Sequence, residues 1–130
     1  MTADTMPTPR AAALLERTER LMTERGARLG RAKPRAVAVL MRRTLETALA
    51  EFLAHAAPGC DRAPFTSRLL VMRHRHPDPG LAAEVAWTWS ALSAATHHQG
   101  YELNPSSTVL AAWLATVHRF VTTGIKTPKS

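Results

Sequence analysis

The chain has a single cysteine, Cys60, in 130 residues. One thiol excludes an intramolecular disulfide framework and fits a reducing compartment, so a cytoplasmic protein is expected. Aromatic residues make up only 5% of the chain, with one tyrosine, Tyr101. The basic stretches hold few of them, which argues against a groove that binds single strands by stacking their bases. No segment alternates apolar and polar residues long enough for a strand, and no Asn-Gly or Asp-Gly step marks a hairpin. The longest apolar segments are interrupted by Glu or Arg well short of a membrane span, so no membrane is expected as partner. Met1 to Arg10 lacks an apolar stretch and includes Asp4, which argues against a signal peptide.

The usual catalytic signatures are missing too. Gly26-Ala27-Arg28-Leu29-Gly30-Arg31 lacks the spacing and the Lys-Ser/Thr of a phosphate-binding loop, and no nucleophile elbow occurs. Cys60 follows Pro58-Gly59 with no evident helix N-terminus to activate it. Close carboxylate pairs are confined to the wet face of the first helix, which speaks against two-acid hydrolysis. Six histidines are present, yet none lies four residues from another. His74 with His76, and His97 with His98, do not share a helix face, so neither a metal site nor a cofactor is expected.

What the chain does have is helical punctuation and positive charge. Apolar residues reach 45%, enough for one modest core. Five helices are expected in an all-α bundle spanning residues 8–124, with tails at 1–7 and 125–130 outside it. Thr8-Pro9 opens the first helix, with Leu14, Thr18, Leu21, Met22, Arg25 and Leu29 on one face and Gly30 as its stop. The second runs from Pro34 to about His55 with Val37, Leu40, Met41, Leu45, Ala48, Leu49, Phe52 and Leu53 inward. The third spans Pro64 to Arg75 with Phe65, Leu69, Leu70 and Met72 inward, and His76-Pro77 ends it. Asp78-Pro79 opens the fourth, which runs to about His98 and is apolar nearly all round. Trp87 and Trp89 sit about 200° apart on it, so they cannot both face one core. Trp87 is therefore a candidate contact for a second subunit, and a homodimer is expected. Asn104-Pro105 or Ser106 caps the fifth helix, with Val109, Leu110, Trp113, Leu114, Val117, Phe120 and Val121 inward and Gly124 as the stop.

Seventeen Lys and Arg against ten Asp and Glu leave a net charge of +7, and fourteen of the bases are arginine. Such a surplus favours polyanions, and arginine suits phosphate. Arg25, Arg28, Arg31, Lys33, Arg35, Arg42 and Arg43 lie between Glu24 and Glu46 with no acid among them. Arg62, Arg68, Arg73, His74, Arg75 and His76 form a second set between Asp61 and Asp78. If the first helical hairpin packs against the third helix, the sets merge into one basic face. Arg35, Arg42, Arg43, Arg68, Arg73 and Arg75 are then the candidate nucleic-acid contacts.

The densest concentration of chemistry is the corner from Thr96 through His97-His98-Gln99-Gly100-Tyr101-Glu102-Leu103 to Asn104-Pro105. His97 and His98 are candidate acid/base groups, since imidazole titrates in the useful range. Tyr101 and Glu102 are expected to pin the corner, the ring beneath it and the carboxylate paired with a histidine. A long helix ending in His, a turn with Gly-Tyr-Glu and a capped amphipathic last helix resemble HEPN-type helical domains. The stretch Ala63 to Val117 is also similar to small actinobacterial all-α proteins.

The HEPN resemblance implies a helical bundle and, in its nuclease members, an Arg followed after four to six residues by a His that cleave RNA together at a dimer interface. This chain departs from that pattern: Ser90, Ala91, Leu92 and Ser93 stand where the Arg before His97 or His98 would be. Arg68 and His74 have the bare spacing but lie on the third helix. The reading expected is thus a basic, non-catalytic module that engages RNA, DNA or a partner protein. The alternatives are a metal-independent RNase using His97 or His98 with an Arg from another helix or subunit, and an interaction or inhibitory module acting through Trp87.

Overall fold

The computed structural model describes residues 9–24, 33–97 and 105–125, with side chains up to residue 123. Among them are five α-helices and no strand: α1 (Arg10–Thr23), α2 (Lys33–Ala56), α3 (Phe65–Arg75), α4 (Pro79–His97) and α5 (Ser107–Ile125). A 3-10 turn, Cys60–Arg62, links α2 to α3. The expected all-α, five-helix bundle is what the chain forms.

The punctuation behaves largely as its chemistry dictates. Asp78 caps α4, its Oδ1 accepting the Leu81 N–H at 3.1 Å. Ser106 caps α5, its Oγ accepting the Val109 N–H at 3.2 Å. His76 turns extended before Pro77 and ends α3. Gly59 follows α2 at φ 93°, a left-handed turn that favours glycine.

The first helix differs from expectation at both ends. Pro9, extended at ψ 142°, occupies the N-cap position rather than the first helical one. The cap comes instead from α2, whose Glu51 Oε2 accepts the Ala11 N–H at 3.3 Å. α1 then stops at Thr23 rather than Gly30. Thr23 turns its hydroxyl back onto the Glu19 and Arg20 carbonyls, and Glu24 is extended. α5 runs through Gly124, the expected stop, to Ile125, expected in the tail. Arg25, Arg28, Arg31, the corner residues His98, Tyr101 and Glu102, and residues 1–7 and 126–130 lie outside the described residues.

α2 is the hub. It packs against α1, α3, α4 and α5, while α1 meets α5, α5 meets α4 and α4 meets α3. The core follows from this arrangement: Val37, Met41, Leu45 and Leu49 of α2 meet Leu15, Met72, Val85, Leu92, Val117 and Phe120. Thr18 and Thr44 are both buried at the α1–α2 crossing, 3.4 Å apart. Each hydroxyl donates to its own helix, to Leu14 O at 2.8 Å and Leu40 O at 2.7 Å, so the pair satisfies itself and lets the helices close. Two residues expected inward are outward. Leu70 is 61% exposed, because α3 uses Leu69 and Met72 and the next residue turns about 100° away. Val109 is 39% exposed at the start of α5, one residue before the buried Leu110.

Candidate functional site

The N-terminal half of α2 and the last turn of α4 build the most organised polar cluster among the described residues. Arg35, Arg42 and Glu46 are seven and four residues apart and so share a face of α2. That face looks at the end of α4. Arg35 donates to Thr96 O at 3.1 Å, and Arg42 donates to Thr96 Oγ1 at 3.0 Å. The same Arg42 nitrogen lies 3.2 Å from His97 Nε2. A guanidinium has no acceptor, so Arg42 is the donor, and His97 Nε2 is the unprotonated nitrogen with the proton on Nδ1. Glu46 Oε2 holds Arg42 Nε at 3.1 Å and accepts from Trp89 Nε1 at 3.2 Å. The carboxylate thus aims the guanidinium while offsetting part of its charge.

Trp89 extends the cluster toward α3. Its ring lies against Phe65 with centroids 4.5 Å apart. Arg42 sits over the Trp89 ring at 5.9 Å, and Arg68 sits over the Phe65 ring at 5.1 Å. The order Arg42, Trp89, Phe65, Arg68 joins one residue from each basic set. Glu46, Trp89 and Phe65 are members of the cluster that the sequence does not mark as site residues. The signal available was the spacing of Arg42 and Glu46 on α2, but which element faces them is a tertiary fact.

The remaining candidates are dispersed. Arg43 is exposed, one residue round the helix from Arg42. Arg73 and Arg75 belong to the last turn of α3. Arg75 donates to Ala56 O at 3.1 Å, which places it at the C-terminal end of α2, about 30 Å of helix axis from Arg35. Among the described residues, Arg75 therefore does not share a face with Arg35 and Arg42. α2 packs on α3, and the outer side of α2 carrying Val39 and Arg43 is exposed.

His76, counted with the second basic set in the sequence, is buried. Its ring packs with those of Phe52 and Phe120 in a three-ring cluster, 5.3 and 5.7 Å from them, the two phenylalanines being 6.2 Å apart. Nδ1 accepts the Asp78 N–H at 2.9 Å, which puts the proton on Nε2. Burial pushes its pKa below the ordinary 6.5, against the opposing pull of the Asp78 backbone contact and carboxylate. It is a structural residue of the α3–α4 corner.

The two tryptophans of α4 divide as their spacing requires. Trp89 is packed, whereas Trp87 is 64% exposed. Among the described residues no three His, Cys, Asp or Glu side chains gather as a metal site, and no helix is long and apolar enough to cross a membrane. Compared with known proteins, the chain matches no family model, no curated protein and no solved structure.

Proposed function

We propose that this chain is a small nucleic-acid-binding module that grips backbone phosphates at the N-terminal half of α2, without catalysis. The observation that supports this most is the convergence of Arg35 and Arg42, two turns apart on α2, on Thr96 and His97 at the end of α4. Guanidinium groups held in place by neighbours lose little freedom on binding, and arginine forks match phosphate oxygens. The first turn of α2 adds the positive end of its dipole, with no acidic residue there to cancel it. Lys33 supplies a further cation at the same end. Glu46 offsets one charge, so the grip is one of position more than of raw potential. RNA and DNA are the partners tested, within the cytoplasm; a homodimer through the exposed Trp87 belongs to the same proposal. Fluorescence anisotropy with labelled single- and double-stranded RNA and DNA is the direct experiment. Binding at low salt that Arg35→Gln weakens, and that Arg73→Gln leaves unchanged, supports the reading. Absence of binding at low salt defeats it.

A second reading is favoured by the Arg42–His97 pair alone. The HEPN resemblance lacks an upstream Arg on α4, and Arg42 of α2 offers a guanidinium at 3.2 Å from His97 Nε2. In a metal-independent RNase, Arg42 would turn from His97 Nε2 to the phosphate, and the freed Nε2 would take the 2′-hydroxyl proton as the 2′-oxygen bonds to phosphorus. The P–O5′ bond breaks, and the same proton passes from His97 to the departing 5′-oxygen, leaving a 2′,3′-cyclic phosphate. RNA cleavage lost in His97→Ala and retained in His98→Ala supports this reading; equal activity in all forms, or none in any, removes it.

A further inference from the structure

A cavity of about 370 Å³ opens where α2 ends and the 3-10 turn leads to α3. That volume is at the lower end of the range of small-molecule pockets, roughly 300–1,000 Å³. Its floor is apolar and made of small side chains: Ala50 and Ala54 from successive turns of α2, with Gly59 and Cys60 from the turn. Two charged side chains, Asp61 and Arg68, complete the wall.

The charges on this wall are not satisfied by each other. Asp61 and Arg68 share the cavity, yet neither takes part in the ion pairs found among the described residues. Arg68 is held by its stack on Phe65, and its Nε is buried without a hydrogen-bond partner among the described residues. That nitrogen is closed to solvent and beyond a ligand's reach, so it is the terminal nitrogens of Arg68, on the cavity wall, that have charge to offer. On the opposite sign, Asp61 is joined by the C-terminal pole of α2, whose last turn lines the same cavity.

These features narrow the ligand. A simple anion would satisfy Arg68 but meet Asp61 and the negative helix pole. A simple cation would meet Arg68. A neutral apolar molecule would pair with neither Arg68 nor Asp61. A molecule with a carboxylate, an ammonium and an aliphatic body satisfies all three surfaces. We propose that the cavity binds a free α-amino acid with an aliphatic side chain: carboxylate on Arg68, ammonium toward Asp61 and side chain over Ala50 and Ala54. The site uses none of the residues that grip phosphate in the reading above, so the two stand or fall separately.

The test is an amide-resolved NMR titration of the full chain with L-leucine, with 4-methylpentanoate, which lacks the ammonium, and with 3-methylbutylamine, which lacks the carboxylate. The rate of Cys60 alkylation by iodoacetamide is followed in parallel. Leucine is expected to give saturable shifts at Gly59 and Cys60 and to slow alkylation several-fold, with each half-ligand at least tenfold weaker. Arg68→Gln is expected to abolish these effects. Asp61→Asn, at an exposed side chain, keeps the fold and is expected to erase the preference for leucine over 4-methylpentanoate. If 4-methylpentanoate binds the unmodified chain as tightly as leucine, or if no probe moves Gly59 or Cys60 at millimolar concentration, the proposal is overturned.

Discussion

Phe65 of α3 lies 4.5 Å from Trp89 of α4, ring centroid to ring centroid, with an arginine over each member of the pair. The stack is the fastening between α3 and α4, and it also seats Arg42 through Trp89 Nε1 and Glu46. Trp89→Ala removes both the ring and the Glu46 bond and is expected to destabilise the fold by about 3 kcal/mol. Trp89→Phe keeps a stacking ring and is expected to cost no more than about half as much. Chemical denaturation of the two variants measures this; equal losses would show that the stack contributes nothing.

How much of this was legible in the sequence is clear from these residues. The helices, the caps at Asp78 and Ser106 and the stop at His76-Pro77 are local events, so local residue chemistry suffices to find them. The division of Trp87 from Trp89 follows from helix geometry alone. By contrast, Arg42, Glu46 and Thr96 come together only because α2 crosses the end of α4, and no periodicity in either helix encodes that crossing. His76 misleads for the same reason: in sequence it stands among arginines, while in space it packs on Phe52 and Phe120, 24 residues before and 44 after it.

The burial of His76 makes stability pH-dependent. Its folded pKa lies below 6.5, so the unfolded chain takes up the proton first. Stability from the neutral ring is complete above about pH 6.5 and is lost as pH falls through the lower folded value. Protonation would also place a proton on Nδ1, facing the Asp78 N–H that it now accepts. Thermal melts between pH 7 and pH 5 should show a steeper fall for the unmodified chain than for His76→Phe, which keeps a ring against Phe52 and Phe120 but cannot titrate. Identical slopes would contradict the assignment.

Asp78 is both the α4 cap and the neighbour of His76. Asp78→Ala is expected to cost about 1 kcal/mol through the lost Leu81 cap, and Asp78→Asn much less. Denaturation midpoints at neutral pH separate the two; a loss in Asp78→Asn equal to that in Asp78→Ala would place the effect outside the cap.

Trp87 is 64% exposed and should contribute little to the fold. Trp87→Ala is expected to change stability by no more than about 0.5 kcal/mol, in contrast to Trp89→Ala. Sedimentation velocity on the same variant reads its role in association. A dimer of the unmodified chain that Trp87→Ala converts to monomer assigns the contact to Trp87; a dimer that survives assigns it elsewhere.

The central claim is that Arg35 and Arg42 are phosphate contacts, and the salt dependence of nucleic-acid affinity tests it most directly. Each neutralised phosphate contributes about 0.7 to the slope of log K against log salt on single strands and about 0.9 on duplexes. The double variant Arg35→Gln/Arg42→Gln, checked for its helical content, should lower that slope by roughly 1.4 to 1.8, while Arg73→Gln should leave it unchanged. An unaltered slope in the double variant, or an equal drop in Arg73→Gln, would contradict a site centred on the Arg42 corner.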